Sequence, residues 1–316
     1  HVGGPSHAIC SEETSGLHAL EAGVRALQRG ELDAVLAGAV DLSGDLRALL
    51  ATDALRPYSS DGSAKPFDLG AKGTIPGEGA ACVVLKRLSD AQRDGDRVYA
   101  VIRGVGAANG DAAASMAPAP AAYQRALARA YAEAGVASGV ELVETHGSGA
   151  PDEDAAEAQA LAGFFGNDGS PSVCNVASAK ADVGHTGAAS GLVSLVKASL
   201  CLYHEVIPGL RGCDAPRQEM AGANRLRAPR GARHWVRNRA EGPRRAGVSA
   251  MDAAGGCVHV VLEGLEAPRG AIERRQPRPV NACLDALFTL SAADPASLRD
   301  ELIELQRLAR ASESSS

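Results

Sequence analysis

Two histidines and one acidic helix start hold most of the chemistry that this sequence offers. His146 stands in VETHGSGAPDEDAAEAQAL (143–161), where an apolar strand runs into a glycine-containing turn and a helix follows. His185 stands in SAKADVGHTGAASG (178–191), again in a turn before a helix and five residues after Lys180. Gly147 and Gly149 beside the first histidine let backbone or ligand come close. Neutral imidazoles in such places can donate hydrogen bonds to a carbonyl oxygen that gains negative charge. The opening stretch GGPSHAICSEETSGLHAL (3–20) puts Cys10, Glu12 and Glu13 just ahead of an apolar helix. A helix N-terminus lowers a thiol's pKa and presents N–H groups to an oxyanion, so such a stretch suits an activated nucleophile. Each feature alone also reads as plain structure: a turn histidine bonded to backbone, a helix-entry loop, a helix-starting acid. Two histidine turns at strand-to-helix junctions of one chain favour a shared site, because ligands of open α/β sheets gather at the carboxyl ends of strands.

The elements that must position these groups follow from apolar spacing. Leu17, Leu20, Val24 and Leu27 lie on one face of a helix whose start is marked by Ser11, Glu12 and Glu13. The run AVLAGAV (34–40) reads as a buried strand, and 81–88, 98–107, 141–147 and 173–178 read as further strands. Residues 246–263 read as two neighbouring strands. Helices are expected near 89–93, over 121–134 with Tyr123, Leu127 and Tyr131 on one face, over 154–165, and over 187–203. This alternation predicts an α/β sheet with helices on both faces. The chain is read as a domain over 1–263, a linker over 264–290 rich in Pro, Arg and Gly, and the start of a following segment over 291–316. In that last segment Asp294-Pro295 reads as a cap and first helical position.

Composition bounds the function. A net charge of −6 speaks against a nucleic-acid partner, and no apolar run is long enough for a membrane span. The seven cysteines contain no CxxC pair and read as reduced, mostly buried thiols, Cys10 among them, which makes a cytoplasmic location the expectation. No His or Cys pair has metal-ligand spacing, and no directly bound cofactor is expected. The loop GVGAANG (104–110) lacks the spacing of a dinucleotide fingerprint, and His259 on a strand reads as packed.

Together the three chemistry-bearing stretches resemble the β-ketoacyl synthase (ketosynthase) family of the thiolase superfamily. The resemblance runs over about residues 3–263 and includes KPFD (65–68), the run 77–104 beginning GEGAACVVL, and 244–263 from RRAGVSA to HVVLE. It implies an α/β, thiolase-like fold layered α-β-α-β-α, with part of the N-terminal half missing from this chain. It also implies a reaction joining a malonyl unit to an acyl chain, both carried as thioesters on the phosphopantetheine of an acyl carrier protein. In that reaction a cysteine takes the acyl chain, and two histidines promote decarboxylation and hold the enolate. His146 and His185 match the two histidines, Lys180 the lysine before the second, and Asp154 and Glu157 the acidic pair in the helix after the first. The Arg-rich run 225–245 then reads as a solvated face or as a dock for the acidic carrier.

The resemblance also raises a question of register. Laying Pro5-Ser6 and the Leu17, Ala19, Leu20 pattern on the family needs no gap, and the nucleophile position then falls on Glu13. Putting Cys10 there needs a three-residue deletion and a compensating insertion. A carboxylate accepts an acyl group poorly, and a helix start stabilises it as the anion. The SEETSG form (11–16), with GTIPGEGAA (73–81), most resembles the chain-length-factor-like, cysteine-less ketosynthase domain of polyunsaturated fatty acid and polyketide synthases, which implies work beside an active ketosynthase partner or as a homodimer. Two alternatives stay open: a malonyl-thioester decarboxylase using His146 and His185, and an active synthase with Cys10 as nucleophile. Departures from the family pattern are Ala150 for Thr, Glu153-Asp154-Ala155 for Gly-Asp-Pro, Asp182 for Asn, Met251 for an aromatic gate and Cys257 for Asn. The deciding geometry is whether Glu13 or Cys10 shares a pocket with the two imidazoles.

Overall fold

The apolar periodicities fold into nine helices and ten strands among the residues that the computed structural model describes: 3–42, 45–110, 119–136, 139–166, 172–265, 290, 292 and 294–313. The helices are α1 (Ser15–Gln28, entered through the 3-10 turn Glu12–Thr14), α2 (Leu46–Leu55), α3 (Leu88–Asp94), α4 (Pro120–Ala134), α5 (Pro151–Phe165), α6 (Lys180–Val183), α7 (Ser190–His204), α8 (Gln218–Ala221) and α9 (Pro295–Glu313). The strands are β1 (Ala34–Asp41), β2 (Gly79–Lys86), β3 (Val101–Asn109), β4 (Leu142–Glu144), β5 (Cys174–Ala177), β6 (Val206–Ile207), β7 (Leu226–Arg227), β8 (Arg233–His234), β9 (Arg245–Met251) and β10 (Gly256–Glu263). The chain divides into two compact units, His1–Glu266 and Ala267–Ser316.

In the first unit a six-stranded mixed sheet runs in the order β3-β10-β9-β4-β5-β7. β3, β10 and β9 pair antiparallel, whereas β9, β4, β5 and β7 run parallel. One face is covered by α4 and α5 through Tyr123, Leu127, Tyr131, Leu161 and Phe165. The other is covered by α1 and α7 through Leu17, Leu20, Leu192 and Leu195. Burying each such leucine contributes about 1.5–3 kcal/mol. α4 shows how local sequence sets an element: Pro120 fills its first turn, and Gly135 at φ +64° closes it while the Val136 N–H reaches back to the Tyr131 carbonyl.

Glycine decides how closely two layers meet. A Cβ on Gly104 or Gly106 of β3 would stand 2.2 Å from the Ala130 or Ala126 carbonyl oxygen of α4. The run 104–110 thus serves helix–strand contact, in line with its missing nucleotide fingerprint.

Beyond α1 and α7 lies a second, two-stranded sheet, β1 against β2, in register from Ala34↔Lys86 to Asp41↔Gly79. The first unit is therefore layered: α4 and α5, the six-stranded sheet, α1 and α7, then β1–β2. Residues 34–40 do form a strand, but it is not buried on both faces. Ala37 faces the helices, whereas Leu36, Val40 and, on β2, Val84 are 65%, 59% and 72% exposed. Among the described residues nothing covers this outer side, which also carries Cys82.

In the second unit Asp294 caps α9 as expected: its Oδ1 accepts the N–H groups of Ala296 and Ser297 at 2.9 and 3.0 Å. Of the linker expected over 264–290, residues 266–289 lie outside the described residues, and so does Cys283.

Candidate functional site

The parallel strands β9, β4 and β5 end on the same side, and the turns after them build the site. At the end of β4 the N–H and hydroxyl of Thr145 both donate to the Ala177 carbonyl of β5, at 2.8 and 2.9 Å. The Ser178 hydroxyl donates to the Gly147 carbonyl at 2.7 Å. Gly147 has φ +36°, and a Cβ there would meet Ser178 Cβ at 2.9 Å, so the turn needs glycine. From α5 the Glu157 carboxylate accepts the N–H groups of His146 and Gly147 at 2.9 and 2.7 Å and the Tyr123 hydroxyl at 2.5 Å. Asp154 accepts the N–H of Phe67 at 2.7 Å and of Gly149 at 3.2 Å, which ties the KPFD segment to the same turn. Both acids are fully buried, and burial raises Glu157 and pushes Asp154 up to about 7. Their hydrogen bonds run to backbone and to Tyr123, so they act as braces that aim His146.

His146 is buried among donors and acceptors that fix its tautomer. Nδ1 accepts the Met251 N–H at 3.2 Å, so the proton sits on Nε2. Lys180 donates to the His146 carbonyl at 2.6 Å and lies 3.4 Å from Nδ1. Burial, then the Lys180 charge, lowers His146 to about 4, so the ring is neutral at pH 7. Burial likewise lowers Lys180 to about 8. His185 stands edge-to-face with His146, ring centroids 5.5 Å apart. Its Nδ1 accepts the Gly187 N–H at 3.2 Å, which leaves the proton on Nε2. That Nε2 is buried with no hydrogen-bond partner among the described residues. Burial and Lys180 hold His185 well below the usual histidine range. Two neutral imidazoles thus meet edge-to-face in the interior.

The acid joins them. Glu12 at φ +44° turns the chain into the 3-10 turn, and Glu13 points into the interior. One Glu13 oxygen pairs with Arg56, at the C-terminal end of α2, while the other is buried without a partner among the described residues. The Arg56 Nη1 lies 2.7 Å from Glu153 Oε1. Glu153 Oε2 accepts the Ser148 hydroxyl at 2.5 Å and the His146 Nε2–H at 3.3 Å. Burial opposes ionisation of Glu153, but its bond from His146 and the Arg56 charge prevail and hold it well below the carboxylate range. The result is a continuous chain, Glu13–Arg56–Glu153–His146. The Thr14 hydroxyl, donating to Asp252 at 2.8 Å, fastens the turn to the loop after β9.

Cys10 is not in this pocket. It is exposed, in a run without regular secondary structure that precedes the turn, which corrects the expectation of a buried thiol. Cys82 is exposed too, whereas Cys174, Cys201, Cys213 and Cys257 are buried as expected. Arg56 went unremarked in the sequence, and Glu153 stood out only as a departure. The available signal was electrostatic: two acids entering a buried pocket require a counter-charge.

The weaker candidates fall elsewhere. His259 is buried, with Ser249 at 2.7 Å from Nδ1 and Tyr131 stacked on its ring. Several arginines of the 225–245 run serve the fold: Arg225 donates to the Ser172 carbonyl at 2.6 Å, and Arg237 and Arg245 pair with Glu141 and Glu263, both at 2.9 Å. Among the described residues no cluster of three His, Cys, Asp or Glu side chains could hold a metal, and no helix is long and apolar enough to cross a membrane.

Comparison with known proteins adds an independent finding. Residues 1–91 match the family profile described as "Beta-ketoacyl synthase, N-terminal domain", and residues 99–214 match "Beta-ketoacyl synthase, C-terminal domain". The chain is 38% identical over 303 residues to a phthioceranic/hydroxyphthioceranic acid synthase of Mycobacterium tuberculosis, a match covering 94% of this chain and 14% of that protein. It is 36% identical over 306 residues to a 5-methyl-1-naphthoate synthase of Streptomyces sahachiroi, covering 94% of this chain and 17% of that one. Among solved structures, the ketosynthase from module 6 of the bacillaene synthase of Bacillus subtilis superposes with a TM-score of 0.77 at 30% identity, covering 82% of this chain and 47% of that one. An oxazolomycin ketosynthase domain of Streptomyces albus gives 0.77 at 31%, covering 84% and 47%. The chain thus spans less than a fifth of these curated relatives and about half of these ketosynthase structures. The fold is the thiolase-like ketosynthase fold with a mixed α/β sheet.

Proposed function

Because the chain belongs to the β-ketoacyl synthase family, we propose that it serves a polyketide or fatty acid synthase as a chain-length-factor-like ketosynthase domain that forms no acyl-enzyme. The observation that carries this reading is Glu13: the ungapped register puts it at the nucleophile position, and it is buried and ion-paired to Arg56, which leads through Glu153 to His146. A carboxylate locked to a guanidinium has no thiolate's reactivity toward a thioester. Its role is then to shape a pocket for an acyl chain delivered on the phosphopantetheine of an acyl carrier protein, beside an active ketosynthase or a second copy of itself. Relatives named for phthioceranic and 5-methyl-1-naphthoate synthesis support an assembly-line setting. The test is intact-mass analysis of the full-length protein after exposure to an acyl-carrier thioester. The expected result is no mass gain; an acyl adduct on this domain would remove the reading.

One observation favours a second activity at the same site. The His185 Nε2–H is buried and unpaired, a donor open to an enolate oxygen, whereas the His146 Nε2–H is held by Glu153. This supports at most a slow malonyl-thioester decarboxylation that rests on His185, tested by His185→Ala: unchanged activity would rule it out. Cys10, exposed outside the pocket, supports no third reading in which it is the nucleophile.

A further inference from the structure

Glu153 occupies a donor that a substrate would need. Its Oε2 lies 3.3 Å from His146 Nε2, the single N–H that this tautomer can offer into the pocket, because Nδ1 is taken by the Met251 N–H. Its Oε1 is held by Arg56 at 2.7 Å and its Oε2 also by Ser148 at 2.5 Å. The carboxylate is therefore anchored at three points. On the other side of the imidazole pair, His185 Nε2–H has no partner. The two rings touch edge-to-face yet differ in state, one donor engaged and one open.

We propose that the Glu153 carboxylate, oriented by Arg56, is a built-in occupant of the His146 donor that closes the imidazole pair to malonyl thioesters while leaving His185 open to the carbonyl of a neutral acyl thioester. This rests on the reading of the pocket as ketosynthase-derived. In the blocked reaction the bond between the malonyl carboxyl carbon and the α-carbon would break. Its electron pair would pass to the thioester oxygen as an enolate, CO2 would leave, and a proton from water would end on the α-carbon to give the acetyl thioester. The enolate oxygen needs donors, and with Glu153 in place only His185 supplies one.

The experiment uses the full-length protein and a malonyl-loaded acyl carrier protein, with conversion of malonyl to acetyl on the carrier followed by mass spectrometry. Glu153→Gly is expected to raise the rate at least ~10-fold over wild type, since one oxyanion donor is worth that or more. Adding His146→Ala to that variant is expected to abolish the gain, a dependence that loosened packing alone would not create. Glu153→Gln keeps the shape and removes the charge, and is expected to give a smaller rise. It decides the matter should the glycine variant fail to fold. A wild-type rate equal to that of either folded variant, or a gain that survives His146→Ala, overturns the proposal. Failure of the functional reading shows separately, as an acyl adduct on the unmutated chain.

Discussion

At the scale of single residues, the pocket is legible wherever a motif fixes spacing and illegible where charge is balanced across the chain. His146, His185 and Lys180 stand in local runs, and the ungapped register puts the nucleophile position at Glu13, which reaches His146 only through Arg56 and Glu153. Arg56 lies 43 positions from Glu13 and 97 from Glu153, in no motif, so only the finished fold brings it between the two acids. Its importance is testable. Removing one partner of a buried pair strands the others, at about 3–5 kcal/mol for a fully buried set. The Arg56 side chain keeps 17% exposure, so Arg56→Gln is expected to cost about 3 kcal/mol, read as a lowered urea midpoint. Neutralising the stranded acids should restore most of the loss, so the triple variant R56Q/E13Q/E153Q is expected close to wild type. Equal stability of R56Q and wild type would show that the clasp carries no weight.

Elements were legible through periodicity, and their contacts were not. Tyr123, Leu127 and Tyr131 at helical steps gave α4 its buried face, and all three are buried. Nothing in that spacing said that α4 lies so close to β3 that Cβ atoms are excluded at two positions. Residues 98–107 read as a strand ending in glycines, and Gly104 and Gly106 do sit within β3. Gly106→Ala puts a methyl 2.2 Å from the Ala126 carbonyl oxygen and 2.4 Å from the Ala130 nitrogen, and backbone cannot yield as a side chain can. The helix must move off the sheet, and overpacking of this kind typically costs about 1–3 kcal/mol. The expected outcome is a thermal midpoint lower by several degrees, about 2–4 °C per kcal/mol for a chain of this size. Gly110→Ala, whose Cβ would meet the Ala122 methyl at 2.7 Å, with Arg125 Nη2 and the Ala119 methyl at 3.8 and 3.9 Å, is expected to lose less. The reverse order of the two midpoints would place the close approach elsewhere.

Over the whole molecule, the unbroken apolar run of β1 predicts a buried strand, and among the described residues only one of its faces is covered. Val35, Ala37 and Ala39 turn toward α1 and α7, while Leu36 and Val40 turn to a side with no described partner. Periodicity reports which residues suit burial; what covers them belongs to the assembly of layers. The same layering buries charge-bearing groups in opposing sets, and these govern stability against pH. Burial lowers His146 to about 4 and His259 to about 3, and holds His185 well below the usual range. Groups depressed in this way lend stability above their unfolded value of 6.5 and lose it as pH falls. Burial raises Glu144 and Asp154 to about 7 and lifts Glu157 as well. Raised carboxyls lend stability that is complete below their unfolded values near 4 and is lost as pH rises through 7. Between about pH 5 and 6.5 the unfolded chain binds the three imidazole protons and the folded chain keeps the carboxyl protons, so the slopes oppose and the wild-type curve is expected nearly level. Single substitutions should tip it, by up to about 1.4 kcal/mol per pH unit for one proton. His259→Phe removes an imidazole outside the pocket, so its stability is expected to rise relative to wild type as pH falls through that window. Glu144→Gln removes a carboxyl, so its stability is expected to fall. Urea unfolding of the three proteins at the two ends of the window decides it, and parallel curves would mean that these groups titrate alike folded and unfolded.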